Sequence, residues 1–232
     1  MKAYIEWMRT AFVFDRKTMG GAFFVPPAMF ILSLLLILFV PRKSPSIYDN
    51  VIIIQGLFIP FSGWCLIYRF GELYEDGAQE TLVPYYRQWV WIDIVRYSFI
   101  HLLGVVVLSG AFMWKYGVSS LSFLNLIHFI LLTFFYLFFS TASLVLTKNT
   151  NIALTVIFIY TVLEVATLGT FMPWPHIFLF EPPVWEPMLI NKFIMLTLSI
   201  FLAAFITIVW ISKGDRKPQI KADRGSLTFG GK

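Results

Sequence analysis

Four of the chain's 13 acidic residues, Glu72, Glu75, Asp76 and Glu80, stand close together in RFGELYEDGAQETLVPYYR, residues 69–87. This is the long polar break in a chain that is otherwise almost all apolar. A turn would need only a handful of residues. The segment is long enough for a short helix, which points to a contact with something outside the chain. A second carboxylate with chemical potential is Glu164, set in the apolar run IFIYTVLEVATLGTF. An ionised carboxylate at membrane depth costs about 2.5 kcal/mol or more. It must face a bundle interior, a wet cavity or a partner subunit, or carry a proton. Two readings stay open: a residue on a substrate path or gate, and a protonated carboxyl bonded to a neighbouring helix.

The remaining reactive groups are scattered. His101, His128 and His176 lie far apart, and His101 and His128 are expected to hydrogen-bond neighbouring helices rather than hold a metal. Asp93 and Arg96, three residues apart, can pair on one helix face. There is no GxxxxGK[ST], so the chain binds no nucleotide through a P-loop, and neither HExxH nor GxSxG is present. Cys65 is the single cysteine, which excludes a disulfide framework and a thiolate metal cluster.

Composition sets the class of element that must position these groups. The chain has 232 residues, 58% of them hydrophobic and 13% charged, with mean hydropathy +0.76. Soluble domains carry roughly a quarter charged residues. Several runs approach the roughly 20 apolar residues a membrane helix requires. Alternating short strands are absent, so a barrel is not expected, and the fold class is an all-α integral membrane protein. The net charge of +5 does not indicate nucleic acid, because the basic residues sit at the ends and in short loops.

Along the chain, residues 1–19 read as an amphipathic interfacial helix, with Met1, Tyr4, Ile5, Met8 and Phe12 at helical spacing. The stretch lacks the apolar core and cleavage site of a signal peptide. Six spans are expected at 20–40, 51–70, 89–114, 121–146, 152–171 and 188–211. Pro26 and Pro27 fall near the start of the first, where prolines are tolerated, and Pro60 should interrupt the second. Between the second and third lies the polar segment 71–88. Before the sixth comes MPWPHIFLFEPPVWEP, too apolar for a free loop and too proline-rich for one helix. It is expected to form a broken, re-entrant segment buried against the protein. The basic tail, 213–232, should fray, and residues 1–212 form a single domain. With both ends inside, Lys2, Arg9, Arg16, Lys17, Arg69, Arg87, Lys148 and the tail are cytoplasmic, against Arg42, Lys43 and Lys115 outside.

On these residues a family resemblance can be stated. Glu75–Asp76–Gly77–Ala78–Gln79–Glu80–Thr81–Leu82–Val83 resembles the cytoplasmic motif of type 2 ABC exporter permeases, a Glu-x-Gly-Thr-x-Glu-x-Leu-Leu pattern between the second and third spans. Glu75, Gly77, Glu80 and Leu82 fit, and Arg87 takes the basic position that follows. Ala78 stands where the pattern has Thr, and Thr81 and Val83 depart mildly. The layout of interfacial helix, six spans and broken segment is similar over residues 1–212.

The resemblance implies that residues 71–88 form a coupling helix docking on a cytoplasmic ATPase. Glu72, Glu75, Asp76 and Glu80 would meet its polar groups, Gly77 would allow a tight entry, and Leu82, Val83, Tyr85 and Arg87 would complete the contact. It implies two ATPase subunits carrying ATP and Mg, and a second permease copy, identical or related. No residue of this chain would be catalytic, and the chain itself would hold no cofactor or metal. The expected location is the plasma membrane of a bacterial cell, in contact with lipid. The path would run between copies along the second and fifth spans, with Glu164 on it and Trp174, Phe178, Phe180 and Trp185 as an outer gate. The cargo would be a peptide, a lipid-like or a drug-like molecule. Two alternatives stand beside this: a membrane-embedded lipid-modifying enzyme using Asp93, His101, His128 and Glu164, and a non-transporting accessory or sensor protein.

Overall fold

Each long apolar run folds as helix, the form that satisfies its backbone internally where no water can. The computed structural model describes residues 2–39, 47–74, 90–168 and 176–213, with side chains over 9–39, 50–74, 90–168 and 176–209. Among the described residues there is no strand. Six helical runs are long and apolar enough to cross a membrane: Arg9–Phe39, Asn50–Gly71, Val90–Tyr116, Phe123–Thr147, Thr150–Thr167 and Pro187–Val209. Glu75, Asp76, Gly77, Glu80, Leu82, Val83, Tyr85, Arg87 and Trp174 lie outside the described residues, as does the tail from 214.

The amphipathic helix α1 spans Lys2–Met19, with Arg16 and Lys17 in its last turn, where cations suit the helix dipole. Gly20, at φ +55°, ends it with a backbone conformation that favours glycine. A 3₁₀ turn, Gly20–Phe24, leads into α2 (Val25–Phe39). Pro26 and Pro27 occupy its first turn, where a missing N–H costs nothing. The far end of α2 is capped by another helix: Lys115 Nζ donates to the carbonyls of Ile37 and Leu38 at 2.7 and 3.0 Å.

The second span changes hydrogen-bond register along its length. It runs as α3 (Ile47–Ile52), a π turn (Ile53–Phe58), a 3₁₀ turn (Ile59–Gly63) and α4 (Trp64–Gly71). Pro60 is the physical cause, since it offers no N–H to the carbonyl of Gly56. The expected interruption at Pro60 therefore takes the form of a wider turn before it and a tighter one after.

The remaining spans are α5 (Val90–Tyr116), α6 (Phe123–Thr147), α7 (Thr150–Thr167) and α8 (Pro187–Lys213). Ser122 and Asn149 cap the starts of α6 and α7, accepting from Asn125 N and Ile152 N. α7 ends at Thr167 rather than at 171, because Leu168 turns left-handed at φ 50°. That end point puts Glu164 in the last turn of α7, not at mid-span.

The second span and α6 make the core. In each, 61% of the most apolar window is buried, against 22% for α7, 17% for α8 and 11% for the run through α2. Polar rungs join α6 to its neighbours: Ser62 Oγ to Thr133 O, Tyr136 to Thr161, and Thr141 to Thr207, at 3.1, 2.9 and 3.1 Å. Among the described glycines, Gly63 leaves the least room: an added Cβ would lie 2.2 Å from Ser140. Small residues at such crossings let membrane helices pack backbone to backbone.

Candidate functional site

A strap of non-helical chain, His176–Phe180, enters the bundle at the end opposite α1. Its backbone is held by side chains from four elements. Glu164 Oε1 on α7 accepts from Ile177 N and Phe178 N at 2.8 and 2.9 Å. The same oxygen lies 2.6 Å from His176 Nδ1. His128 Nε2 on α6 lies 2.7 Å from the Ile177 carbonyl. Lys192 on α8 donates to the Phe178 carbonyl. Gln55, in the π turn, accepts from Leu179 N at 2.9 Å and donates to Leu179 O at 3.0 Å. Six successive backbone groups, Ile177 N through Leu179 O, are thus satisfied without a partner strand. The need is physical: each bare group buried here would cost about 1–3 kcal/mol.

The strap also fills the core. Ile177, Phe178 and Leu179 are buried, and the Phe178 ring lies 6.4 Å from Tyr136 and 6.2 Å from Phe180. Phe180 stacks on His176 at 5.9 Å. Of the expected gate residues, the fold therefore brings Phe178 and Phe180 together with Glu164, while Trp185 stands exposed. Glu164 is fully buried, and its Oε2 has no hydrogen-bond partner among the described residues. Its Oε1 serves the chain's own strap rather than a neighbouring helix. His128 holds the strap rather than a helix.

Two hollows flank the strap. The first, about 480 Å³, is a cleft between the second span and α7. Gly56, Leu57, Pro60 and Phe61 form one wall and Ile157, Phe158, Val162 and Val165 the other, with Thr161 facing in. Its polar groups are already engaged: the Thr161 hydroxyl bonds Ile157 O and Tyr136, and the Trp64 indole N–H donates to Ala22 O at 2.9 Å. The walls therefore offer contact to apolar matter alone. A Cβ on Gly56 would lie 3.0 Å from Val165 and 3.7 Å from the Phe178 ring, so the strap abuts one end of the cleft. The second hollow, about 640 Å³, is lined by Phe178, Phe180, His176, Glu181, Glu186 and Lys192 among others.

At the α1 end a knot of charges is buried. Asp15 of α1, 1% exposed, binds Arg96 Nη2 at 2.6 Å and accepts from the Tyr97 hydroxyl at 2.6 Å. Arg96 also pairs with Asp93 at 2.9 Å, as their spacing suggests. Arg69, at the end of α4, reaches Asp93 at 3.6 Å, Asp15 at 4.0 Å and Glu72 at 3.7 Å. The Arg69 guanidinium lies 4.6 Å over the Phe14 ring. Two arginines and two aspartates cancel formally, the condition under which charges survive burial. The knot joins α1 to both stems of segment 75–89.

No protein-family model, no curated protein and no solved structure matches this chain. The geometry alone carries the functional reading. Asp93 and Glu164 are each held by arginine or strap donors, as above. His101 Nε2 sits 3.1 Å from the Phe58 carbonyl with its ring stacked 4.1 Å on Phe58, and His128 holds Ile177. Of the groups an embedded enzyme would use, Glu164 and His128 meet at Ile177 of the strap, whereas Asp93 sits in the charged knot and His101 against Phe58. Among the described residues no three His, Cys, Asp or Glu side chains converge to hold a metal ion.

Sequence reasoning missed Gln55, Lys192 and Asp15. Each carried a signal, being a strongly polar side chain inside an apolar run or, for Asp15, on the helix expected to lie on the membrane surface.

Proposed function

We propose that this chain is the membrane-spanning subunit of an ATP-driven exporter of the type 2 ABC permease kind. Both termini and segment 75–87 face the cytoplasm, and two ATPase chains bearing ATP and Mg dock there. A second permease copy completes the pathway, in the plasma membrane. In this reading Glu72, Glu75, Asp76, Gly77, Glu80, Leu82, Val83, Tyr85 and Arg87 form the docking surface, and no residue of the chain is catalytic.

The observation that carries the reading is the buried knot of Asp15, Arg69, Asp93 and Arg96. A push on segment 75–89 enters the bundle through Arg69–Glu72 on one stem and Asp93–Arg96 on the other. Both stems are pinned to α1 through Asp15, so interfacial helix, second span and third span move as one joint. Transporters need such a joint, because a packed bundle passes between discrete states rather than deforming gradually. The cleft between the second span and α7 agrees with a path along those two faces, and its dry walls favour a lipid-like or otherwise apolar cargo.

The test is transport in cells that co-express the chain with the ABC ATPases of its own genome. Gly77→Pro and Glu80→Lys should each abolish export while membrane insertion stays normal. Unchanged export in both variants would contradict the docking role.

A further inference from the structure

The strap is bonded to both walls of the cleft. Gln55 is on the second span, next to the wall residue Gly56, and holds Leu179. Glu164 is on α7, next to the wall residue Val165, and holds Ile177 and Phe178. Three consecutive strap residues therefore bridge two helices across one opening. Widening the cleft at this end requires breaking the Gln55 bonds or the Glu164 bonds, since the two side chains grip the adjacent residues Phe178 and Leu179.

We propose that the strap is a tie that holds the cleft shut, with Gln55 and Glu164 as its two anchors. His128 and Lys192 also grip the strap, but from α6 and α8, outside the cleft. They seat the strap without linking the walls. The tie explains why a polar amide sits in the run VIIIQGLFIP. The π turn places it: a wider turn re-aims a side chain that α geometry would point elsewhere, and such turns recur at functional sites. The inference deepens the transport reading by naming what gates the path, but the tie can be tested with no ATPase present.

The test uses the full chain in lipid nanodiscs with Cys65→Ser and Thr161→Cys, and reads the rate at which N-ethylmaleimide alkylates position 161. Thr161 lines the cleft and is 7% exposed, so alkylation reports its opening. Gln55→Leu should raise the rate by about ten-fold, the signature of a local opening made easier. Glu164→Leu should do the same, and the double variant should add little, because one cut already releases a tie. Glu164→Gln retains an acceptor oxygen and should stay near the parent rate. Lys192→Met, which removes a strap bond from outside the cleft, should also stay near it. Equal acceleration by Lys192→Met and Gln55→Leu would overturn the tie, as would no acceleration by Gln55→Leu. If Glu164→Leu does not fold, the contrast between Gln55→Leu and Lys192→Met decides alone. A tie confirmed in nanodiscs beside a failed export assay would remove the transport reading and leave the tie standing.

Discussion

At the scale of single residues, the chain solves one problem repeatedly: a polar group inside a dry bundle must be met by another. Glu164 shows the terms most clearly. One carboxylate oxygen takes two backbone N–H groups and faces His176 Nδ1, while the other has no partner among the described residues. Glu164→Ala strips all three and should cost about 3 kcal/mol or more, whereas Glu164→Gln keeps the acceptor and should cost about 1 kcal/mol. Thermal unfolding in detergent, followed by circular dichroism, separates the two. The knot at the other end makes a different prediction. Arg96→Met alone leaves Asp15 and Asp93 sharing one arginine and should destabilise by about 3–5 kcal/mol. Adding Asp15→Leu restores one carboxylate to one arginine, so the double variant should lose less than the two single losses summed. The same melting experiment checks it.

At the scale of elements, the second span is where sequence and fold constrain each other most. Gly63 lets it touch α6, with an added Cβ only 2.2 Å from Ser140 Cβ and Oγ and 3.0 Å from the Tyr136 carbonyl. Gly63→Ala should destabilise by about 1–3 kcal/mol, the usual penalty for overpacking. Ser140→Gly in the same chain should recover part of it, leaving the contact with Tyr136, and proteolytic resistance in micelles reads the difference. Much of this level was legible beforehand. The six runs, the prolines opening α2 and the interruption at Pro60 all follow from hydropathy and from a missing N–H. The end of α7 was not, because Leu168 in a left-handed turn is a strained choice that no propensity predicts. The placement of Glu164 moved with it. The strap was legible only in outline: five prolines and several aromatics ruled out helix and free loop alike, but not which side chains would hold it. Gln55 and Lys192 come from 124 and 14 residues away along the chain. Such pairings are set by tertiary packing, and periodicity carries no trace of them.

At the scale of the whole molecule, the two polar constructions stand at opposite ends of the bundle. The knot gathers α1 and both stems of segment 75–89, and the strap bridges the cleft between the second span and α7. The second span belongs to both, carrying Arg69 at one end and Gln55 nearer the other. A displacement of α4 at the knot therefore has a continuous helical route to the tie, through the register change around Pro60. On the transport reading, this is how an event at the docking segment reaches the path. The most direct measurement of that account is co-purification. The chain is co-expressed with the ABC ATPases of its own genome and captured through a tag on the chain, and ATP hydrolysis by the captured material is measured in nanodiscs. The account predicts that the wild-type chain retains an ATPase and that Glu80→Lys loses it while the chain remains folded. Capture of no ATPase by the wild-type chain, or equal capture by Glu80→Lys, would contradict it.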